Sequence, residues 1–313
     1  MSQNWQQNAL EDLLRESVRE QRRRRRWGIF FKLVFIVFVI VALVVIFGSS
    51  SKHSGLQDKP HTALIDIRGT IAAGGEADAD RIATSLNHAF KDKGTKGVIL
   101  RINSGGGSPV QSDYVYNELR RLEHKYPKIK VYAVCSDICA SGAYYIASAA
   151  NDIYADPSSL VGSIGVITGG FGFVDGMKKL GITRRVLTAG NQKAFMDPYK
   201  PLKPTEVKEM HVMLDQLHGN FIKAVKDGRG DRLKVGKDTF SGRIWTGTQA
   251  KQMGLIDDFG SSGFVARNVI KQDKIINYTI KPNMFERFAR QVGASASADF
   301  TKRVGLDQTI SVR

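Results

Sequence analysis

Cysteine is nearly absent from this chain of 313 residues: only Cys135 and Cys139 are present. They do not form a Cys-x-x-Cys, and no cysteine–histidine set has zinc spacing. A metal-held or disulfide-stapled framework is therefore not expected. The two thiols read as small buried packing residues, and a bridge between them needs a local geometry that spacing does not give. Histidine is also scarce, with six in all. His53 and His61 lie in or beside a linker, and His88, His124, His211 and His218 fall in amphipathic stretches. None sits in a triad-like motif; there is no G-x-S-x-G elbow and no H-E-x-x-H. No glycine run is followed by Lys-Ser or Lys-Thr, and G-x-G-x-x-G is missing, which disfavours a nucleotide loop. The formal charge is +16, but no basic face with interleaved aromatics marks a nucleic-acid partner. There is no internal repeat.

Charge and hydropathy divide the chain. Residues 1–27 form a basic tail with Arg15, Arg19 and the run Arg22 to Arg26. Residues 28–48 are apolar except for Lys32, which lies near the end, where its stem can snorkel. About 20 apolar residues cross a bilayer as a helix. The run is longer than a signal-peptide core, and no small-x-small cleavage site follows it, so a retained transmembrane anchor is expected. The arginines put its N-terminal side in the cytoplasm, which leaves the rest on the far side of the inner membrane. Residues 49–60 read as a linker and 61–290 as the main domain. Residues 291–313, polar and small without periodicity, read as a disordered tail.

Within 61–290, β-type and helical stretches alternate. Strands are expected at His61–Arg68, Gly97–Ile102, Lys130–Cys135, Asp152–Ala155, Gly165–Thr168 and Thr183–Thr188. Helices are expected at Ala77–Asp92, at Val110–Lys125, from Ser141, at Phe171–Leu180, from Pro204 and near Gly263–Lys271. In the second helix Val110, Tyr114, Leu119 and Leu122 read as one face. In the long helix from Pro204, the apolar residues Val207, Met210, Leu214, Leu217, Phe221 and Val225 keep helical spacing. This alternation predicts an α/β fold with a parallel sheet and crossover helices.

Ser141 stands where a strand gives way to a helix of small residues. A helix start offers free amides and a favourable dipole for developing negative charge. Serine is equally at home there as a helix cap. A nucleophilic serine needs a base, and with no suitable histidine the Ser-Lys solution remains. Such a lysine must be desolvated or lie near positive charge. Lys193 follows a strand-like stretch among small and apolar residues, although most lysines in a lysine-rich chain are simply solvated. The turn Asn103-Ser104-Gly105-Gly106-Gly107-Ser108-Pro109 joins a buried strand to a helix. It could offer backbone amides to an oxyanion or be a plain tight turn.

Four stretches carry a resemblance: LRINSGGGSP, CSDICASGAYYIASAANDIYADPSSLVGSIGVI, AGNQKAFMDP and RIWTGTQAKQMGLIDDFGS. In order and content they resemble the signal peptide peptidase A family in its short, single-repeat bacterial form, over roughly residues 62–270. The resemblance implies a Clp-protease/crotonase-like fold of stacked βαβ units. It also implies Ser141 as acyl-forming nucleophile, Lys193 as general base, Ser163 as a hydrogen-bond partner of that lysine, and the amides of Gly106 and Gly142 as oxyanion donors. It implies no metal and no cofactor. Family members assemble into rings or domes, and in single-repeat members the serine and lysine meet across protomers. A homo-oligomer is therefore expected, and a single chain would leave the pair apart. One departure is that Gly105 occupies a position where the family usually has proline.

The function expected from these residues is a membrane-anchored serine endopeptidase that cuts hydrophobic peptides such as remnant signal peptides. Two rival readings are a crotonase-like acyl-CoA enzyme, which would need neither Lys193 nor an anchor, and a catalytically silent membrane scaffold.

Overall fold

The computed structural model describes residues 22–41 and 59–281, which fall in two separate units. In the first, residues 22–41 are helical and exposed. Its described apolar part is 28–41. No helix among the described residues is long and apolar enough to cross a membrane. Residues 42–48 of the expected anchor lie outside the described residues, as do most of the linker and all of 282–313.

The second unit is built on one sheet. Its elements are β1 (His61–Arg68), α1 (Ala79–Lys91), β2 (Thr95–Ser104), α2 (Pro109–Lys125), β3 (Lys130–Ala140), α3 (Gly142–Ala147), β4 (Asp152–Ala155), β5 (Leu160–Gly162), α4 (Val174–Lys179), α5 (Pro204–Arg229), β6 (Ile244–Thr246), α6 (Gly247–Gln252), β7 (Asp258–Phe259) and β8 (Ile275–Asn277). The main path runs β6-β5-β3-β2-β1-β8, with β4 on β3 and β7 on β4. Every pairing is parallel except β5 with β6. The fold is thus α/β with a parallel-dominated sheet. Val98, Ile99, Leu100 and Ile102 of β2 are all fully buried, as a strand covered on both faces requires.

Helix starts follow their local chemistry. Asp78 caps α1 by accepting from the amides of Asp80 and Arg81, and Ser108 caps α2 through Gln111. The buried side of α2 is Ser112, Val115, Tyr116, Leu119 and Leu122, while Val110 and Tyr114 are exposed. This corrects the expected face: Tyr114 and Leu119 are five residues apart, which a shared helical face does not allow. In α5 only the C-terminal half reaches the core, through Phe221, Ala224 and Val225.

The stretch between Ser163 and Lys203 departs most from expectation. Neither Gly165–Thr168 nor Thr183–Thr188 is a strand, and α4 buries no residue. Ile167 and Leu187 are almost fully exposed, at 94% and 101%. A strand needs a hydrogen-bonded ladder, and neither stretch has a ladder partner among the described residues.

Candidate active site

The site begins with a change of partner along β3. Its first part pairs with β4 up to Cys135, and its end pairs with β5, Ala140 facing Gly162. Between them residues 136–138 bulge out of the ladder with β2. Asn103 holds the bulge: its Nδ2 donates to Asp137 Oδ2 at 2.7 Å, and its Oδ1 accepts from the Ile138 amide at 3.2 Å. Beyond the bulge the chain reaches Ser141 and turns at once into α3.

Ser141 has φ 54° and ψ −129°. For a residue with a side chain this conformation costs about 1–3 kcal/mol, and such strain gathers at functional sites. The backbone is fixed on both sides: the Ser141 amide donates to the Gly162 carbonyl at 2.8 Å, and its carbonyl accepts from Tyr145 N at 3.0 Å. Although Ser141 occupies the cap position of α3, its side chain makes no capping hydrogen bond. The hydroxyl has no hydrogen-bond partner among the described residues. The helix-cap role allowed by the sequence is therefore not the one Ser141 plays.

α3 is buried on every side, which its small residues permit. Tyr144, fully buried, donates its hydroxyl to Leu255 O at 2.7 Å. A Cβ on Gly142 would stand 2.4 Å from Ser112 Oγ, so only glycine fits the first turn. The leading amides of a helix have no partner within it, and that of Gly142 faces the glycine turn.

The turn is pressed against Ser141. A Cβ on Gly106 would lie 2.7 Å from Ser141 Cβ and 2.8 Å from Gly142 N. Ile71 clamps the turn from the other side: its amide donates to Gly106 O at 2.9 Å, and its carbonyl accepts from Ser108 N at 2.8 Å. The Gly106 amide donates to the buried Ser104 Oγ at 3.1 Å. Gly107 N lies 3.4 Å from the position a Gly142 Cβ would take. The turn amide nearest the start of α3 without such a bond is thus that of Gly107, whereas the resemblance assigned the donor role to Gly106. Gly107 has φ 152°, and a Cβ there would stand 2.2 Å from Ile71 O.

Ser163 comes to the same place from β5. Because Ala140 pairs with Gly162, Ser163 follows one residue beyond the bond that holds Ser141. It too has positive φ, 51°, and its amide donates to Arg243 O at 2.7 Å.

Lys193 lies in the arm between Ser163 and Lys203. It is exposed in the arm, and its ammonium makes neither a hydrogen bond nor an ion pair among the described residues. The arm is nonetheless ordered around it. Arg184 pairs with Asp197 and stacks on Tyr199 at 4.6 Å, and Tyr199 stacks on Phe173 at 5.3 Å. The Met196 amide, at a residue with φ 52°, donates to Glu206 Oε2 at 3.1 Å. The single chain therefore gathers Ser141, Gly142, Gly106, Gly107 and Ser163, and among the described residues Lys193 makes no side-chain hydrogen bond to any of them. The bonds of Ser104, Glu206, Arg184 and Asp197 gave no signal in the sequence, because nothing in its pattern says which loop they hold.

An unbonded hydroxyl beside free backbone amides can attack a carbonyl and stabilise the resulting oxyanion, given a base. Comparison with known proteins points the same way. The family model for peptidase family S49 matches residues 123–275. A Na(+)/H(+) antiporter NhaA of Brucella melitensis is 41% identical over 202 residues, 63% of this chain and 27% of that protein. A Synechocystis protein named as a protease is 32% identical over 199 residues, 64% of this chain and 69% of that protein. Protease 4 of Haemophilus influenzae is 32% identical over 234 residues, 72% of this chain and 36% of that protein. The chain thus spans about a quarter of the length of the Brucella relative it matches.

Proposed function

We propose, from the premise that the chain belongs to peptidase family S49, that it is a membrane-anchored serine endopeptidase working through Ser141 and Lys193. The observation that carries this reading is Ser141 itself: strained backbone, a hydroxyl released from capping, and the glycine turn against it. Lys193 takes the proton as Ser141 Oγ attacks a peptide carbonyl. The oxyanion is held by the Gly142 amide and by an amide of the glycine turn. That donor is Gly107 as the turn stands, and Gly106 if Ser104 releases it. The protonated lysine then supplies the proton for the leaving amine, and water hydrolyses the acyl-enzyme. Ser163, beside Ser141, is positioned to orient the lysine.

A lysine acts as a base only where desolvation or a neighbouring cation favours its neutral form. Lys193 of one chain is exposed, so that chain alone does not bury it. The same arm carries exposed Ile167, Phe171, Leu180, Leu187 and Leu202, an apolar surface that a second copy would cover. We therefore place the dyad across protomers of a homo-oligomer of Clp-protease/crotonase-like units. The apolar 28–48 segment would hold it on the inner membrane, with the basic tail in the cytoplasm and the peptidase domain outside. Hydrophobic peptides released near a bilayer, remnant signal peptides among them, suit such a site.

An antiporter needs several membrane-spanning helices with ionisable groups inside the bilayer. Residues 59–281 form an α/β sheet instead, so transport is not carried over from the Brucella relative. The test is labelling of the full chain in detergent by an acylating serine-protease inhibitor, with the oligomer mass measured alongside. Labelling at Ser141, lost in Ser141→Ala, together with cleavage of a quenched hydrophobic peptide that is lost in Lys193→Ala, is the expected result. Full cleavage by either variant would overturn the dyad.

A further inference from the structure

The bulge in β3 brings together two thiols that a regular strand would hold far apart. Cys135 and Cys139 are four residues apart, which is about 13 Å along an extended strand. Their partners on β2 are Ile102 and Ser104, only two residues apart. The register therefore compresses the two cysteines to a spacing of about 6.6 Å, on the same face of the sheet. A disulfide accepts Cα separations of about 4.4–6.8 Å. Both side chains lie in the same buried cluster, Cys135 2% and Cys139 0% exposed, and both are free thiols. Burial, and next the hydrogen-bonded Cys135 thiol beside it, push the Cys139 thiol well above its ordinary pKa.

We infer that Cys135 and Cys139 are a disulfide site, closing an intrastrand bridge across the β3 bulge two residues before Ser141. Closure removes one proton from each thiol and two electrons from the pair. The electrons pass to an external disulfide, glutathione disulfide or an oxidised dithiol oxidoreductase, which is reduced to two thiols. One cysteine thiolate attacks that disulfide and releases its first thiolate, leaving a mixed disulfide; the other cysteine thiolate then attacks the protein sulfur of the mixed disulfide and releases the second thiolate. With both sulfurs buried, exchange in the folded chain is slow and needs local opening, so the bridge forms most readily while the chain folds. It would pin the bulge that Asn103 now holds with two hydrogen bonds.

The experiment reads thiols rather than peptide cleavage, so its outcome is independent of the peptidase reading. The full chain in detergent is equilibrated with reduced and oxidised glutathione, from the reduced and from the oxidised side. It is then acid-quenched, denatured, alkylated and weighed by mass spectrometry. The same series is run in urea. The fold holds the sulfurs in register, so the bridge should be half-formed at a glutathione ratio at least about tenfold more reducing in the folded chain than in the unfolded one. An equal or more oxidising ratio in the folded chain would sink the inference. So would a stable glutathione adduct at either cysteine as the folded end product. Cys135→Ala fixes the mass of a chain that cannot close.

Discussion

The Ser141 amide donates to the Gly162 carbonyl at 2.8 Å, and both ends of this link, Ser141 and Gly162, have positive φ, as does Ser163 next in the chain. The bond ties the strained serine to the end of β5. The strain is a cost that glycine would not pay. Ser141→Gly should therefore raise the unfolding free energy by about 1 kcal/mol, while peptide cleavage falls by about a thousandfold or more. Urea denaturation and a quenched-peptide assay check both. A Ser141→Gly chain less stable than the parent would mean that the backbone is not strained.

The glycine turn separates neighbours that look alike in sequence. A Cβ on Gly105 has only Ile138 Cδ1 near it, at 3.9 Å. Gly105→Ala should change stability by no more than about 0.5 kcal/mol. On Gly107 the same atom would meet Ile71 O at 2.2 Å, with φ 152°. Gly107→Ala should cost about 2–5 kcal/mol and remove activity. Thermal melts of the two variants decide it, and equal melting temperatures would contradict the clamp by Ile71.

How much of this was legible beforehand differs by element. β1, β2 and the start of β3 were readable because a buried parallel strand is a run of apolar residues, and Gly97–Ile102 is one. The site serine was readable as a helix start, but not as cap or nucleophile. The cap is excluded by the missing capping bond, and the backbone there is tied to Gly162 on another strand, which no local pattern shows. The β3 bulge was hidden because Ser136-Asp137-Ile138 breaks no pattern until Asn103 is placed opposite it. Thr183–Thr188 reads as a strand for sound local reasons, yet pairing is a property of neighbours, and the single chain supplies no ladder partner among the described residues. Lys193 was singled out by its setting among small and apolar residues and given its role by resemblance, and no local feature of the sequence places its side chain.

If the dyad is completed between protomers, two dead proteins should rescue one another. Ser141→Ala keeps the lysine and Lys193→Ala keeps the serine. In a ring assembled at random from equal amounts, about a quarter of the sites would receive an intact serine and an intact lysine. Dissociating the two variants and reassembling them together should restore roughly that share of parental cleavage. Zero rescue, with mixed oligomers shown by mass, would return the pair to a single chain.

The buried ion pair behind the sheet sets the acid limit of the fold. Arg229, 1% exposed, donates Nη1 and Nη2 to Asp257 at 2.7 and 2.9 Å, and its Nε to Gly254 O at 2.9 Å. Asp257 Oδ2 also accepts from Ile153 N at 2.7 Å, which anchors β4. Burial pulls the Asp257 pKa upward, but the bonds and charge of Arg229, the Ile153 amide and the charge of Arg232 together outweigh it and leave it below the ordinary 3.8. A depressed carboxylate pKa adds stability that is present above the unfolded value and lost as pH falls through the folded one. The urea midpoint should therefore hold from neutral pH down to about 4 and then drop. Asp257→Asn leaves Arg229 buried without a counter-charge, so it should cost about 3–5 kcal/mol at neutral pH and flatten that acid limb. Arg229→Met with Asp257→Leu, which removes both charges, should recover most of the loss. A single Asp257→Asn variant as stable as the parent, with an unchanged acid limb, would show that the pair does not hold α5 to the sheet.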